Sequence, residues 1–213
     1  MIGLADRPNA TIEKRERSIN CEDELSFLEE PEVHSDRGVA YHLAGQIDSA
    51  IAEYDKALSV NPDFTYAHCN LGIAYFTLGH TNRAIQEFIA AINVDPELVE
   101  VHFNLGVAYK SKGDFEAALR ELQWVLHADP DDADCHFQLG QVYETSQRLD
   151  EAIEHYRIYL NLAPPRDYEQ KKKIKKKILQ LALDSLLQRS GLQIYQLAVN
   201  RASARADHAM CAG

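Results

Sequence analysis

The chain has 213 residues, 46% of them hydrophobic and 26% charged, with a formal net charge of −11. That is the size of one domain or a short repeat array, with enough apolar material for a core. No run reaches the roughly 18 apolar residues of a membrane helix, the acidic balance disfavours wholesale nucleic-acid binding, and the scattered Cys21, Cys69, Cys135 and Cys211 exclude a disulfide scaffold.

Residues 1–30 are polar and acidic towards their end, and read as a mobile N-terminal segment. They hold no apolar run of signal-peptide length, so a cytoplasmic placement is expected. From residue 31 a period of 34 governs the sequence. Pro62, Pro96, Pro130 and Pro164 are spaced by it, and so are Gly38, Gly72, Gly106 and Gly140. Tyr41, Tyr75, Tyr109 and Tyr143 keep the same interval, as do Ala50, Ala84, Ala118 and Ala152, and His34, His68, His102 and His136.

Four units follow from that spacing, at 31–64, 65–98, 99–132 and 133–166. Each reads as two helices. In the second unit Cys69, Leu71, Ile73, Ala74, Tyr75 and Phe76 cover more than one face of the first helix. Ala84, Ile85, Phe88, Ala91 and Ile92 then recur at helical spacing. Gly45, Gly79 and Gly113 mark the turn between the helices, where a positive φ ends the first. Gln147 replaces that glycine in the fourth unit, whose turn is expected to differ. Asn61-Pro62, Asp95-Pro96 and Asp129-Pro130 end the second helices, because proline disfavours helix at the residue before it. The glycines at 38, 72, 106 and 140 and the matching alanines permit close helix packing, with Tyr54, Phe88, Leu122 and Tyr156 filling the space around them. One such unit cannot bury its own apolar face, so stability comes from stacking.

Beyond residue 166 the period stops. Residues 166–190 carry 8 Lys and Arg against 3 Asp and Glu, a local net charge of +5 in an otherwise acidic chain. Residues 167–190 read as one capping helix, with Ile174, Ile178 and Leu181 on a face that Leu179, Leu183, Leu186 and Leu187 widen. Its lysines, Lys171 to Lys173 and Lys175 to Lys177, form either a solvated outer face or a patch for an anionic surface. Gly191 is expected to end this helix. A short apolar helix over 192–199 and a frayed tail from Arg205 complete the chain.

His68-x2-Leu71-Gly72-x2-Tyr75, followed by Ala84, Phe88 and Pro96, resembles the tetratricopeptide repeat, with His where that motif has Trp. His102, Leu105, Gly106, Tyr109, Ala118 and Pro130 repeat the match. Arg37 departs from it in the first unit, and Gln147 and Tyr159 in the fourth. The resemblance spans about 31–166. It implies an all-α, right-handed solenoid of four helix-turn-helix repeats closed by a capping helix, whose first helices line a concave groove for an extended peptide.

In that geometry Asp36, Asn70, Asn104 and Gln138 form one groove column. Asn70 and Asn104 resemble the asparagine ladder of O-linked N-acetylglucosamine transferase, since a primary amide both donates to and accepts from a peptide backbone. Ile73 and Val107 lie beside them, with Phe76, Phe103 and Phe137, as apolar anchors or as core. The adaptors that clamp a chaperone's C-terminal carboxylate are a poor match. Ser35, Val39, Glu100 and Asn104 stand where that clamp needs bases.

Neither a metal nor a cofactor is expected. The histidine column lies on helices roughly 8–10 Å apart, too far for shared ligation at about 2 Å, and reads as a spacer in place of Trp. The acidic run Asp129, Asp131, Asp132 and Asp134 reads as a solvated turn and helix cap, for it lacks the glycine and distal glutamate of a calcium loop. There is no phosphate-binding glycine loop, zinc-protease motif or nucleophile elbow. The expected function is a non-enzymatic scaffold or adaptor for a protein or peptide partner. Homo-oligomeric self-assembly through the groove and tethering through the Lys171 to Lys177 helix are the alternatives.

Overall fold

The computed structural model describes residues 30–210, with the backbone alone from 192 onward. The expected mobile segment therefore falls outside the described residues except for Glu30, as do the last three residues of the tail. Among the described residues the regular structure is helical, and the chain divides into two compact units, Met1–Pro130 and Asp131–Gly213.

The first unit holds α1 (Pro31–Leu43), α2 (Ile47–Val60), α3 (Thr65–Thr77), α4 (Thr81–Val94), α5 (Val99–Lys112) and α6 (Phe115–Ala128). Each odd helix packs on the even one after it, and α2 and α4 pack on the next pair. Two of the first helices, α3 and α5, are apolar nearly all round and become the interior, as such a pattern requires, whereas the end helix α1 buries only Ser35 and Gly38. In α3, Ala67 and the six residues from Cys69 to Ala74 are buried. The second helices bury one stripe. Ala84, Ile85, Phe88 and Ala91 of α4 join Val101, Leu105 and Ala108 of α5 in a single cluster. Each large side chain fully covered there is worth about 1.5–3 kcal/mol against exposure.

The seam inside each pair depends on a glycine. A Cβ on Gly72 would stand 2.6 Å from Cε1 of Phe88, and one on Gly38 would stand 2.4 Å from Cε1 of Tyr54. The turn glycines Gly45, Gly79 and Gly113 adopt φ of 75°, 79° and 85°. Asn61 and Asp95, ahead of their prolines, are extended, and their side chains accept from the backbone N–H of Asp63 and Glu97.

The second unit holds α7 (Ala133–Thr145), α8 (Leu149–Leu162), a 3₁₀ turn (Pro165–Asp167) and α9 (Tyr168–Met210). Asp132 caps α7, accepting from the N–H of Cys135 at 2.7 Å, as the acidic run suggested. The turn at Gln147 does not differ as expected. Gln147 itself takes φ 62°, and its N–H and that of Arg148 bond to Glu144 and Tyr143 in the pattern of the glycine turns. The chain accepts about 1 kcal/mol of strain there to keep the turn.

Two expectations about the C-terminal helix fail. α9 does not end at Gly191 but runs through it, because Gly191 keeps a helical backbone with open space around it. Nor do the leucines widen the packed face. Ile174 and Leu181 are buried against the unit, whereas Leu179, Leu183, Leu186 and Leu187 are 52–73% exposed. Apolar spacing alone does not say which side of a helix finds a neighbour. Glu144 joins α9 to the repeat, accepting from Tyr156 Oη at 2.6 Å and from Lys177 Nζ at 2.9 Å. Asp150 accepts from Ser185 at 2.9 Å and also from Arg189.

Candidate functional site

The histidine column performs the most specific polar work in the repeats. Nδ1 of His34, His68 and His102 each lies 2.8 Å from Oε2 of Glu53, Glu87 and Glu121, the residue 19 positions later on the second helix. On the other side of the ring, Nε2 of His68 lies 2.9 Å from the carbonyl of Pro62, and Nε2 of His102 lies 3.0 Å from that of Pro96. The imidazole therefore ties the two helices of its own repeat to the proline turn that closes the previous one. Both partners of His68 are acceptors, and only a doubly protonated ring donates to both. Consistently, the hydrogen bond His68 donates to Glu87 outweighs desolvation and raises the His68 pKa above 6.5. His102 also stacks on Trp124, ring centres 3.9 Å apart.

Glu53 is the most enclosed of the acids, at 6% exposure. Burial opposes its ionisation, but hydrogen bonds from His34 and Lys56 and the charges of Lys56 and Arg37 prevail, so its pKa falls below the ordinary value. The fourth repeat breaks the pattern. Its acid position holds His155, and Nδ1 of His136 faces Nδ1 of His155 at 2.9 Å. Tyr143 stacks on His155, and Arg148 lies over the Tyr143 ring. These partners were not anticipated. The signal was present, because positions 53, 87, 121 and 155 keep the 34-residue interval and the first three are glutamates.

The residues expected to receive a peptide sit deeper than a groove lining would. Asn70 and Asn104 are 1% and 0% exposed, and Ile73, Val107 and Gln138 are also buried. Asn104 Nδ2 points at Cys69 Sγ, 3.9 Å away on α3, so this amide bridges two repeats inside the first unit. Burial pushes the Cys69 thiol pKa strongly upward, which leaves it a neutral neighbour for the amide. Phe76 and Phe103 are half-buried, with Phe76 packed at the edge of the α3–α5 cluster. In the second unit Phe137, also half-buried, packs on Tyr156 and Tyr159. The structure thus sets Asn70, Ile73 and Phe76 on α3 and Phe103, Asn104 and Val107 on α5 of one unit. Phe137 and Gln138 belong to the other. Among the described residues no group of three or more His, Cys, Asp and Glu side chains is placed to hold a metal ion, and no helix is long and apolar enough to cross a membrane.

The helix pairs, the turn at each position and the 34-residue interval agree with sequence models. One described as "TPR repeat" matches residues 38–79 and 75–113, and one described as "Tetratricopeptide repeat" matches residues 103–167. The chain belongs to the tetratricopeptide repeat family. Among solved structures this tetratricopeptide protein is similar to the MamA protein, with 26% identity over 73% of this chain and 90% of that one, at a TM-score of 0.60. YrrB, described as a TPR protein with an unusual peptide-binding site, shares its fold at 20% identity, covering 76% of this chain and 90% of that one, with a TM-score of 0.61. The Cut9–Hcn1 hetero-tetramer of APC/C matches at 21% identity and a TM-score of 0.66, over 72% of this chain and 30% of that one. No curated protein sequence gives a match. The fold is that of an all-α tetratricopeptide solenoid, and membership of this family makes the protein an interaction scaffold.

Proposed function

We propose that the protein is a non-enzymatic scaffold that binds an extended peptide segment along the first helices of its N-terminal unit. The observation that carries this reading is the partly open pair Phe76 and Phe103 beside the repeated amides of Asn70 and Asn104. Identical primary amides recur 34 residues apart at 1% and 0% exposure, among Cys69, Ile73, Leu71 and Val107. A core built only for stability is cheaper without buried amides. Phe76 and Phe103 beside them keep part of their rings open. In this reading the two phenylalanines receive apolar side chains, and docking turns the amides towards the ligand backbone, which asks for no particular ligand sequence. Ile73 and Val107 form the floor beneath, and Phe137 with Gln138 is the equivalent pair of the second unit. YrrB, which has the same fold, is described as having a peptide-binding site.

Affinity capture from native lysate tests the reading, comparing wild type with an Asn70→Ala, Asn104→Ala double variant and a Phe76→Ser, Phe103→Ser double variant. Circular dichroism first confirms that each is folded. Two lost backbone hydrogen bonds at about 1 kcal/mol each lower capture roughly tenfold or more. Equal capture by all three proteins would sink the groove. Loss of stability with capture intact in the asparagine variant would assign the amides to repeat stacking alone.

A further inference from the structure

The outward side of α9 does not belong to the repeat chemistry. At 100° per residue, Tyr168, Lys172, Lys175, Lys176, Leu179, Leu183, Leu186 and Leu187 fall within about 120° of one another, away from the buried Ile174 and Leu181, with Lys175, Leu186 and Leu187 at the edges, where Leu186 and Leu187 also border grooves against the repeat. Tyr168 is 66% exposed and Leu179 is 73% exposed. Lys172, Lys175 and Lys176 are exposed as well, and among the described residues none of them is paired with an acid. From Tyr168 to Leu187 the helix carries two carboxylates against six lysines: Glu169, exposed at the edge of this side, and Asp184, whose Oδ1 accepts from Gln180.

We propose that this face is a docking surface for an anionic lipid membrane, with the lysines at the headgroups and the leucines immersed in the interface. Four open leucines on one stripe are costly to leave in water. The lysines occupy the same stripe immediately before them, an arrangement that fits basic amphipathic helices lying on membranes. Lysine stems reach upward from a partly immersed helix while their methylenes remain in contact with apolar groups. Twenty residues from 168 to 187 extend about 30 Å at 1.5 Å each, so the contact is long and straight, as a flat surface requires. A second copy pairing this stripe in parallel would set Lys172, Lys175 and Lys176 against their own counterparts, whereas an anionic leaflet complements them. The acidic body does not oppose this, because charges farther than about 8 Å from the leaflet are screened at physiological salt.

Co-sedimentation of the full chain tests the proposal, using phosphatidylcholine vesicles with and without 30% phosphatidylserine at low and high salt. The wild type binds only the anionic vesicles and is released by salt. Lys172→Glu, Lys175→Glu, Lys176→Glu together lower binding about 100-fold. Leu179→Ser, Leu183→Ser lowers it at unchanged charge, with the fold verified by circular dichroism. Equal binding to both vesicle types, or full binding by the lysine variant, overturns the proposal. It is also overturned if the wild type ignores vesicles while light scattering shows an oligomer that the leucine variant abolishes, for then a second copy covers the face.

Discussion

His136 and His155 face each other Nδ1 to Nδ1 at 2.9 Å, in the place where the three preceding repeats pair a histidine with a glutamate. Two imidazoles share this contact only if one donates and the other accepts, and a second proton sets like charges together. Desolvation first, then the charge of His136, lowers the His155 pKa below 6.5. The unfolded chain therefore takes up the proton earlier as pH falls, and the second unit loses stability below about pH 6.5. His155→Glu reverses the sign, because an imidazolium at 136 then gains a carboxylate. Hydrogen exchange of α7 and α8 amides, corrected for intrinsic rates, should show wild-type protection weakening by about 1 kcal/mol from pH 7 to 5. The variant should hold or strengthen. A wild-type unit indifferent to acid would refute this.

In the first unit His68 responds the other way, against His42, whose pKa burial lowers. The raised folded pKa of His68 means that its contribution is complete below 6.5 and is lost as pH climbs through the folded value. Trp124, the one tryptophan of the chain, lies in this unit and reports its unfolding in urea. Wild type is expected to lose about 1 kcal/mol between pH 6 and 8.5. Glu87→Gln, which removes the charge that favours the imidazolium, is expected to cost about 1–2 kcal/mol at pH 6 and to flatten the slope. An unchanged slope in the variant would assign the pH dependence elsewhere.

Two glycine-to-alanine changes should have opposite effects. Ala at 72 places Cβ 2.6 Å from the Phe88 ring, whereas Ala at 191 meets nothing within 4 Å. Overpacking is expected to make Gly72→Ala destabilising by about 1–3 kcal/mol despite its better helix propensity. Gly191→Ala is expected to stabilise α9 by up to about 1 kcal/mol. Thermal melts followed by circular dichroism decide it, and a neutral Gly72→Ala would mean that the ring can retreat.

Glu144 holds Tyr156 and Lys177 together, and the two partners carry unequal weight. Tyr156 is wholly buried, so its hydroxyl left alone costs about 1–3 kcal/mol. Lys177 is 40% exposed, so its ion pair adds at most a few tenths after solvent screening. Glu144→Ala should therefore lose most of its effect in a Tyr156→Phe background and little in a Lys177→Met background. Denaturant melts of the singles and doubles measure that coupling.

Spacing made the repeat fold legible because Gly72, Tyr75, Ala84 and Pro96 each answer a local demand, for close approach, filling, fit or termination. The same arithmetic placed the turn glycines correctly. It failed at Gln147, where neighbouring hydrogen bonds impose a left-handed backbone on an unsuited residue. It failed again at Gly191, since an unpacked glycine does not stop a helix that its neighbours favour. Leu179 and Leu183 face outward against expectation, because periodicity reveals a stripe but not its occupant. Asn70 and Asn104 were recognised as distinctive, yet their depth depends on the packing of α3 against α5, which no single-helix pattern encodes. Glu87 and Glu121 were legible in principle, at a fixed distance from histidines already in register.

The His–Glu contact closes over 19 residues and the His–Pro contact over 6, so no polar tie of this kind reaches beyond one neighbouring repeat. Excising residues 65–98 would join Phe64 to Val99 and bring His102 within reach of the Pro62 carbonyl, as His68 is now. The gene could therefore lose or duplicate 34 codons at this seam without orphaning a single member of the network, which makes array length a quantity that recombination can tune.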